Sequence, residues 1–310
     1  MTASQLSRRI TLRQLEVFTE AARELNFSRV AETLHLTQPA ISMQIRQLEQ
    51  AVGLPLFEKV GRRKMLTEAG LLLQTHASRL LGELQDAEQS LQSLKGLTGG
   101  SVSIGLVSTT QYFAPWLLAA FAKEHPRIDV RFMVGNRETL VRRLQENQLD
   151  LAMMGRAPTE VDTVSEPLAQ NPHVLVASVG HPFAQGRNID MHALRHDTFL
   201  MREPGSGTRM MLEELFRAHL FKPAKLITLD SNETIKQAVM AGLGVSLLSL
   251  HALSLELRVG EIAVLDVLGL PMQRIWHLVQ LRRRRLSPSA EAFRHFLIEQ
   301  TQIVLDGVQV

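Results

Sequence analysis

The sequence predicts an α/β protein with a small helical head, and three patterns in it carry that reading. Apolar residues at helical spacing stop and restart around His35-Leu36-Thr37, which describes two short helices and a turn. A proline-free run from Thr67 to about Leu97 places Leu73, Ala77, Leu80, Leu84, Ala87, Leu91 and Leu94 at alternating steps of four and three. From Ser101 to Val310, short apolar runs alternate with helical stretches, as strands and helices in layers do.

Taking the elements in order, Leu12, Leu15, Phe18, Ala22 and Leu25 form a helix whose apolar stripe covers the pair that follows. Val30, Ala31 and Leu34 face inward from the second helix, and Ile41, Ile45 and Leu48 from the third. Thr37 or Gln38 starts the third helix, and Pro39 fits its first turn, where a missing N–H costs nothing. At about 100° per residue, that inward set turns Pro39, Ser42, Met43 and Arg46 outward, with Gln38 at the leading end. A solvated surface helix usually carries more charge. A tip of amide and hydroxyl groups with one arginine suits base edges in a DNA major groove. Taken alone, such a helix pair also serves as plain packing.

Leu56 to Leu66 reads as two short strands around a glycine turn, with Arg62, Arg63 and Lys64 at or just past its tip. Residues 1–66 hold ten Lys or Arg against six Asp or Glu, while the whole chain is only +3. Positive charge concentrated beside a reading helix grips phosphates and makes binding salt dependent; the alternative is a solvated basic loop.

The alternating spacing of the next run predicts a helix with a narrow apolar seam, as two chains packed side by side require, so a homodimer is expected. The alternative is an amphipathic helix folded onto its own chain. Thr67 is the expected N-cap, Glu68 suits the positive helix start, and Gly96, Gly99 and Gly100 mark the end and a hinge. Two heads fixed by one linker call for two half-sites in DNA.

Residues 101–310 are nearly neutral, with twenty-two basic and twenty-one acidic side chains. Strands are expected at 102–107, 130–134, 149–154, 174–178, 198–201, 225–229, 245–249 and 275–281, and helices at 113–123, 138–145, after Gly207, at 235–241 and from about Pro288. The alternation argues for mainly parallel strands. Ligands in open α/β sheets gather at the carboxyl ends of strands. That points to Ser108, Thr109 and Thr110 after the first strand, to Arg202 through Arg209 with Gly205, Ser206, Gly207 and Thr208 between them, and to Asn232, Glu233 and Thr234. Asn136, Arg137 and Glu138 follow another strand, and Arg156 follows the apolar run ending at Met154. Each junction alone also reads as a capped helix after a turn; together, with several cations near helix N-termini, they fit an anionic ligand.

Composition excludes whole classes. Without cysteine there is no disulfide, iron–sulfur cluster, cysteine-ligated zinc or thiol sensor. No signal-peptide pattern and no run near the ~20 apolar residues of a membrane helix appears, so a cytoplasmic chain with no membrane partner is expected. The eleven histidines form no metal-ligand pattern, so no metal and no cofactor are expected. Ser206 lies in a GSG run rather than a nucleophile elbow, and no catalytic set is identifiable, so the chain is not read as an enzyme. Arg282 through Arg285 read as a solvated turn, the other reading being a second nucleic-acid patch, and Met153 and Met154 as buried strand. A small-molecule binding protein whose head does not read DNA stays the alternative from another class.

LRQLEVF, FSRVAETLHLTQPAIS, QIRQLEQAVGLPLFE and LTEAG, in this order and spacing, resemble the LysR-type transcriptional regulators. GLVSTTQYFAP, GNRETL, MGRAP, REPGSGTR and SNETIKQAVMAGLGVSLLSLH are similar to the members that control RuBisCO operons of the Calvin cycle. The resemblance implies a winged helix-turn-helix N-terminal domain (1–67), a dimerising linker helix (68–97) and a two-lobed effector domain (101–310) like periplasmic binding proteins. Its first lobe would be about 101–171 plus 274–310, and its second about 172–273. The resemblance further implies Gln38, Pro39, Ser42 and Met43 facing bases, and with Arg46, Arg62, Arg63 and Lys64 read above, and Ser28 and Thr37 beside them, these residues are expected at promoter DNA. Many members carry a polar or basic residue in place of Met43, so this side chain is expected against a thymine methyl. Activation of carbon-fixation genes in response to a phosphorylated metabolite or nucleotide (ribulose bisphosphate, phosphoenolpyruvate, phosphoglycerate, ATP or NADPH) is implied too, with a tetramer built from dimers and contact with RNA polymerase. The alternative within the family is another metabolic operon with a different anionic effector.

Overall fold

The computed structural model describes residues 9–61, 63–94 and 99–307. The chain divides into two compact units, Met1–Leu91 with Gln145–Gln148, and Gln92–Leu144 with Leu149–Val310. The division falls inside the last turns of the long helix rather than after it.

In the first unit, α1 (Leu12–Glu24), α2 (Phe27–Thr33) and α3 (Gln38–Val52) form the head. Each start is capped by the residue that local chemistry favours. The Thr11 hydroxyl accepts from Gln14 N while Gln14 Oε1 accepts from Thr11 N, a reciprocal box; Asn26 Oδ1 accepts from Ser28 N and Arg29 N; and the Thr37 hydroxyl accepts from Ala40 N with Pro39 in the first turn. Leu15, Val17, Phe18, Ala21, Ala22, Val30, Ala31, Ile41, Ile45 and Leu48 close one core. The stripe expected on α1 is rotated, because Leu12 is exposed and Leu25 lies past the helix end at φ +51, while Val17 and Ala21 take the inward places.

Strands β1 (Phe57–Val60) and β2 (Arg63–Leu66) pair antiparallel about Gly61, whose φ of +64 favours glycine. Glu49 on α3 accepts from the N–H groups of Leu56 and Phe57, which fastens the start of this wing to the third helix. The Phe57 ring meets Phe18 and Phe27 edge-on at 5.8 and 5.3 Å. Arg62 lies outside the described residues.

Helix α4 (Glu68–Leu94) starts as expected, the Thr67 hydroxyl accepting from Gly70 N and donating to Pro55 O. The seven-residue seam is not uniform. Ala77 is fully buried and Leu73 partly so against the head's own core, whereas Leu80, Leu84, Ala87 and Leu91 are exposed. The first two positions therefore obey the folded-back alternative, because a wing and three short helices leave that flank open. The side chain of Leu94 and residues 95–97 lie outside the described part.

Among its described residues the second unit holds a five-stranded, a three-stranded and a two-stranded sheet with helices on their faces. The first is β4-β3-β5-β12-β6, built from β3 (Gly100–Val107), β4 (Ile128–Gly135), β5 (Leu151–Met154), β6 (Thr163–Gln170) and β12 (Ile275–Leu281). One face packs on α5 (Ala114–Glu124) and α10 (Pro288–Gly307) through Phe113, Phe121, Trp276, Phe293 and Leu297; the other packs on α6 (Arg137–Gln145) through Leu140, Val141 and Leu144. The second half carries β10-β7-β11, from β7 (His173–Ser178), β10 (Ser246–Ser249) and β11 (Ile262–Leu265), beside the pair β8 (Thr198–Arg202) and β9 (Lys225–Leu229). Helix α7 (Gly207–Ala218) packs on one side, α8 (Asn232–Met240) and the short α9 (Ser254–Val259) on the other. Two crossovers join the halves and bond to each other: Asn171 N donates to Arg274 O, and His173 and Met272 exchange backbone hydrogen bonds at 2.9 Å each.

The expectation of mainly parallel strands is corrected. Only β3–β4, β3–β5 and β8–β9 pair parallel among the described strands of this unit; β12 runs antiparallel to β5 and β6, and β7 to β10 and β11. A chain that crosses between two lobes and returns must insert a reversed strand in each. Arg282–Arg285 are also not one solvated turn: Arg284 is 7% exposed, pairs with Asp150 at 2.6 Å and donates to Leu149 O. Met153 and Met154 are fully buried in β5, as read.

Candidate nucleic-acid interface and effector cavity

On the head, α3 presents Gln38, Pro39, Met43 and Arg46 exposed and Ser42 half-buried, the face that its buried Ile41, Ile45 and Leu48 leave outward. Gln38 Nε2 donates to Ser42 Oγ at 2.8 Å across one turn, so the two polar groups are held together. Met43 is 52% exposed, an apolar side chain on this outward face. Ser28 is exposed at the start of α2, and the Thr37 oxygen is committed to the α3 cap. In the wing, Arg63 is exposed, but Lys64 behaves differently: its ammonium lies 3.1 Å from the centroid of the Phe27 ring, and burial lowers its pKa.

In the second unit a cavity of about 440 Å³ lies at the carboxyl ends of β3, β4 and β5, beside the crossovers and the start of α7. Of the residues singled out by sequence, Ser108, Thr109, Asn136, Arg137, Arg156, Ser206, Gly207 and Thr208 line it. Their hydrogen bonds leave donors over. The Ser108 hydroxyl accepts from Arg202 Nη1 and the Thr109 hydroxyl from Trp276 Nε1, so each keeps its own hydrogen. Asn136 Oδ1 accepts from Thr139 N, leaving its amide hydrogens. Helix α7 has no side-chain cap at Ser206, so its first-turn N–H groups remain available. Arg156 is exposed at the cavity, while Arg137 is held bidentate by Glu160, whose carboxyl that guanidinium pulls down to about 2.

The remaining candidates lie elsewhere, for local reasons. Thr110 is buried with its hydroxyl donating to Val107 O. Arg202, 4% exposed, spends its guanidinium on Glu203, Ser108 and Asn232, and so straps the two lobes together. Gly205 is favoured by its φ of +83 and lies against the Glu138 side chain, and neither residue lines the cavity. Arg209 pairs with Glu213 and donates to Arg202 O. Thr234 N is capped by Ser231. Glu233 accepts from the Tyr112 hydroxyl at 2.6 Å and pairs with the buried Lys236, a second strap between lobes; burial, then that bond, pushes the Tyr112 pKa up.

Sequence reasoning missed Asn171, His173, Arg217 and Arg274 in the lining. Three of these stand on or next to the crossovers, which strand-to-helix junction logic does not reach. Arg274 pairs with Glu214 at 2.6 Å, and Asn171 Oδ1 accepts from Ser249 Oγ, leaving another free amide. Among the described residues no group of acidic, His or Cys side chains could hold a metal, and no helix is long and apolar enough to cross a membrane.

A helical head with a two-stranded wing, a long helix and a two-lobed unit around a donor-lined cavity are the parts of a ligand-responsive DNA-binding regulator. Residues 12–71 match the bacterial regulatory helix-turn-helix of the lysR family, and residues 95–302 match the LysR substrate binding domain. The chain belongs to the LysR family of transcriptional regulators. It is 59% identical to the HTH-type transcriptional regulator CfxR of Cupriavidus necator, over 96% of this chain and 94% of that one. It is 46% identical to the RuBisCO operon transcriptional regulator of Allochromatium vinosum, over 94% and 96%. The regulatory domain of Synechocystis CcmR, solved in complex with 2-PG, superposes with a TM-score of 0.62 at 36% identity, over 64% of this chain and 95% of that one.

Proposed function

We propose that this chain activates carbon-fixation genes of the Calvin cycle, binding promoter DNA as a LysR-type regulator and responding to a phosphorylated metabolite or nucleotide. The observation that carries the reading is the near full-length similarity to a RuBisCO operon regulator. The effector class is supported by the donor-rich cavity and by the relative bound to 2-PG.

In this reading α3 enters the major groove with Gln38, Pro39, Ser42 and Met43 at base edges, while Arg46 and Arg63 meet phosphates. The DNA-reading domain is residues 1–67, the linker 68–97 and the effector domain 101–310. Leu80, Leu84, Ala87 and Leu91, exposed along α4, form the seam with a second copy, and dimers pair into a tetramer that contacts RNA polymerase. The protein works in the cytoplasm, where the promoter is. A phosphorylated ligand takes the donors of Ser108, Thr109, Asn136, Arg156 and the start of α7, and the lobes respond by changing how dimers present their heads.

The test is a gel-shift titration of the full chain on the region upstream of the RuBisCO operon, with and without the five phosphorylated compounds named above. A shift whose affinity or bend changes with one of them supports the reading. A shift that none of them alters removes the effector assignment, and no shift at low salt removes the whole.

A further inference from the structure

The neutral and cationic polar groups of the cavity offer mainly donors, and one buried side chain among them adds an acceptor. His173 is 2% exposed and lines the cavity at the first residue of β7. Its Nδ1 lies 3.0 Å from the carbonyl oxygen of Asn171. A carbonyl only accepts, so Nδ1 carries the hydrogen, and in the neutral ring Nε2 is left with a lone pair. Among the described residues no side chain or backbone group hydrogen-bonds that Nε2. Burial keeps the ring neutral by drawing its pKa down to about 4, and the nearby Arg274 and His251 act in the same direction. The carboxylates of Glu213 and Glu214, also at the cavity, are engaged by Arg209 and Arg274.

Resting on the reading of this cavity as the effector site, we infer that His173 is a specificity residue: Nε2 accepts an O–H from the effector, which is therefore a phosphorylated compound that also carries a free hydroxyl. The donors of Ser108, Thr109, Asn136, Asn171 and the uncapped start of α7 hold the oxyanion and do not distinguish one phosphate ester from another. A buried acceptor does, because a ligand without the hydroxyl dehydrates Nε2 and gives it nothing in return. The residue is also placed where recognition has mechanical effect, since its backbone exchanges both hydrogen bonds with Met272 between the two crossovers.

The experiment is calorimetric titration of the full chain at pH 7.5 with two probes, 3-phosphoglycerate and its deoxy analogue 3-phosphooxypropanoate. The wild type is expected to bind the hydroxylated probe about tenfold to a hundredfold more tightly, the range set by leaving a buried acceptor unpaired. Two variants divide the ring's functions. His173→Asn keeps a donor for the Asn171 carbonyl but withdraws the acceptor, and it should bind both probes alike. His173→Gln carries an amide oxygen near the place of Nε2 and should retain the preference. A purely structural role would weaken both probes together and leave their ratio unchanged in each variant. Equal binding of the two probes by the wild type, or an unchanged preference in His173→Asn, overturns the inference while leaving the cavity reading intact. Failure of the wild type to bind either probe overturns the role given to His173 for this ester, and the cavity reading falls with it only when the other four compounds also leave the DNA shift unaltered.

Discussion

Replacing Gln38 or Ser42 by alanine probes the groove assignment at its most exposed point. The two side chains are joined by a hydrogen bond of 2.8 Å across one turn of α3, so each fixes the rotamer of the other before DNA arrives. A well-placed polar contact to a base edge contributes about 1–3 kcal/mol of discrimination, which at 25 °C is roughly fivefold to 150-fold in affinity. Each single variant should lose an amount in that range on the specific duplex. Removing Ser42 also releases Gln38 from its prearranged position, so the losses should not add: the double variant should fall short of their sum by about 0.5–1.5 kcal/mol, a typical value for one such hydrogen bond. Fluorescence anisotropy on a labelled site and on a scrambled duplex, at one salt concentration, measures both quantities. Equal losses on the two duplexes would place these residues on the backbone instead of the bases, and strict additivity would refute the prearranged pair.

Three further outcomes follow from other parts of the molecule. Lys64→Met should weaken DNA binding by displacing the wing from Phe27 while leaving the slope of log affinity against log salt unchanged, whereas Arg63→Gln should lower that slope by about one; equal slope changes would make Lys64 a phosphate contact. Asp150→Ala removes the carboxylate that binds Arg284 at 2.6 Å and accepts from Ser103 N and Oγ; because both partners are buried, the second unit should lose about 3–5 kcal/mol in urea unfolding, and a change below about 1 kcal/mol would contradict the burial. His173, neutral in the fold and with its pKa depressed to about 4, binds fewer protons folded than unfolded between pH 6.5 and 4. Stability is therefore complete above pH 6.5 and falls on acidification through that window, by up to about 3 kcal/mol from this one ring. His173→Gln should flatten that part of the unfolding profile, and an unchanged acid slope would show that the ring titrates normally.

The head was legible because its signals are local. Thr37, Pro39 and Gly61 act on the backbone within a few residues of themselves, and the helices and wing follow from them. The linker was half legible: a repeat of four and three specifies a helix with one apolar stripe, but not that Leu73 and Ala77 are covered by the same chain and Leu84 and Leu91 are not. Strand β6 was missed because Glu166 and Pro167 break the apolar run; proline is tolerated there because β6 is the edge of its sheet, where the register also shifts at Trp276 and His277. In the cavity, junction chemistry found the hydroxyls after β3 and the open start of α7, yet could not separate ligand donors from struts. Arg202 has the right type and position for a ligand arginine, and only its burial against Asn232 and Glu203 of its own lobe, with its bond to Ser108 of the other, assigns it to holding the lobes.

That assignment joins binding to shape at a single oxygen. Ser108 lines the cavity from the first lobe, and its Oγ is the atom that Arg202 of the second lobe grips at 2.9 Å. A hydroxyl that donates its hydrogen to an anion becomes a better acceptor, so an oxyanion drawing on Ser108 strengthens the Arg202 strap. The ligand then favours the strapped arrangement by its differential interaction with it, which is the only way it can shift a conformational equilibrium. Glu233 and Tyr112 form the second strap at some remove from the cavity, and α8 carries both Glu233 and the Asn232 that Arg202 also holds. Tension at Ser108 therefore reaches α8 through one guanidinium, and Ser108→Ala should uncouple the two straps even with a ligand that fills every other donor.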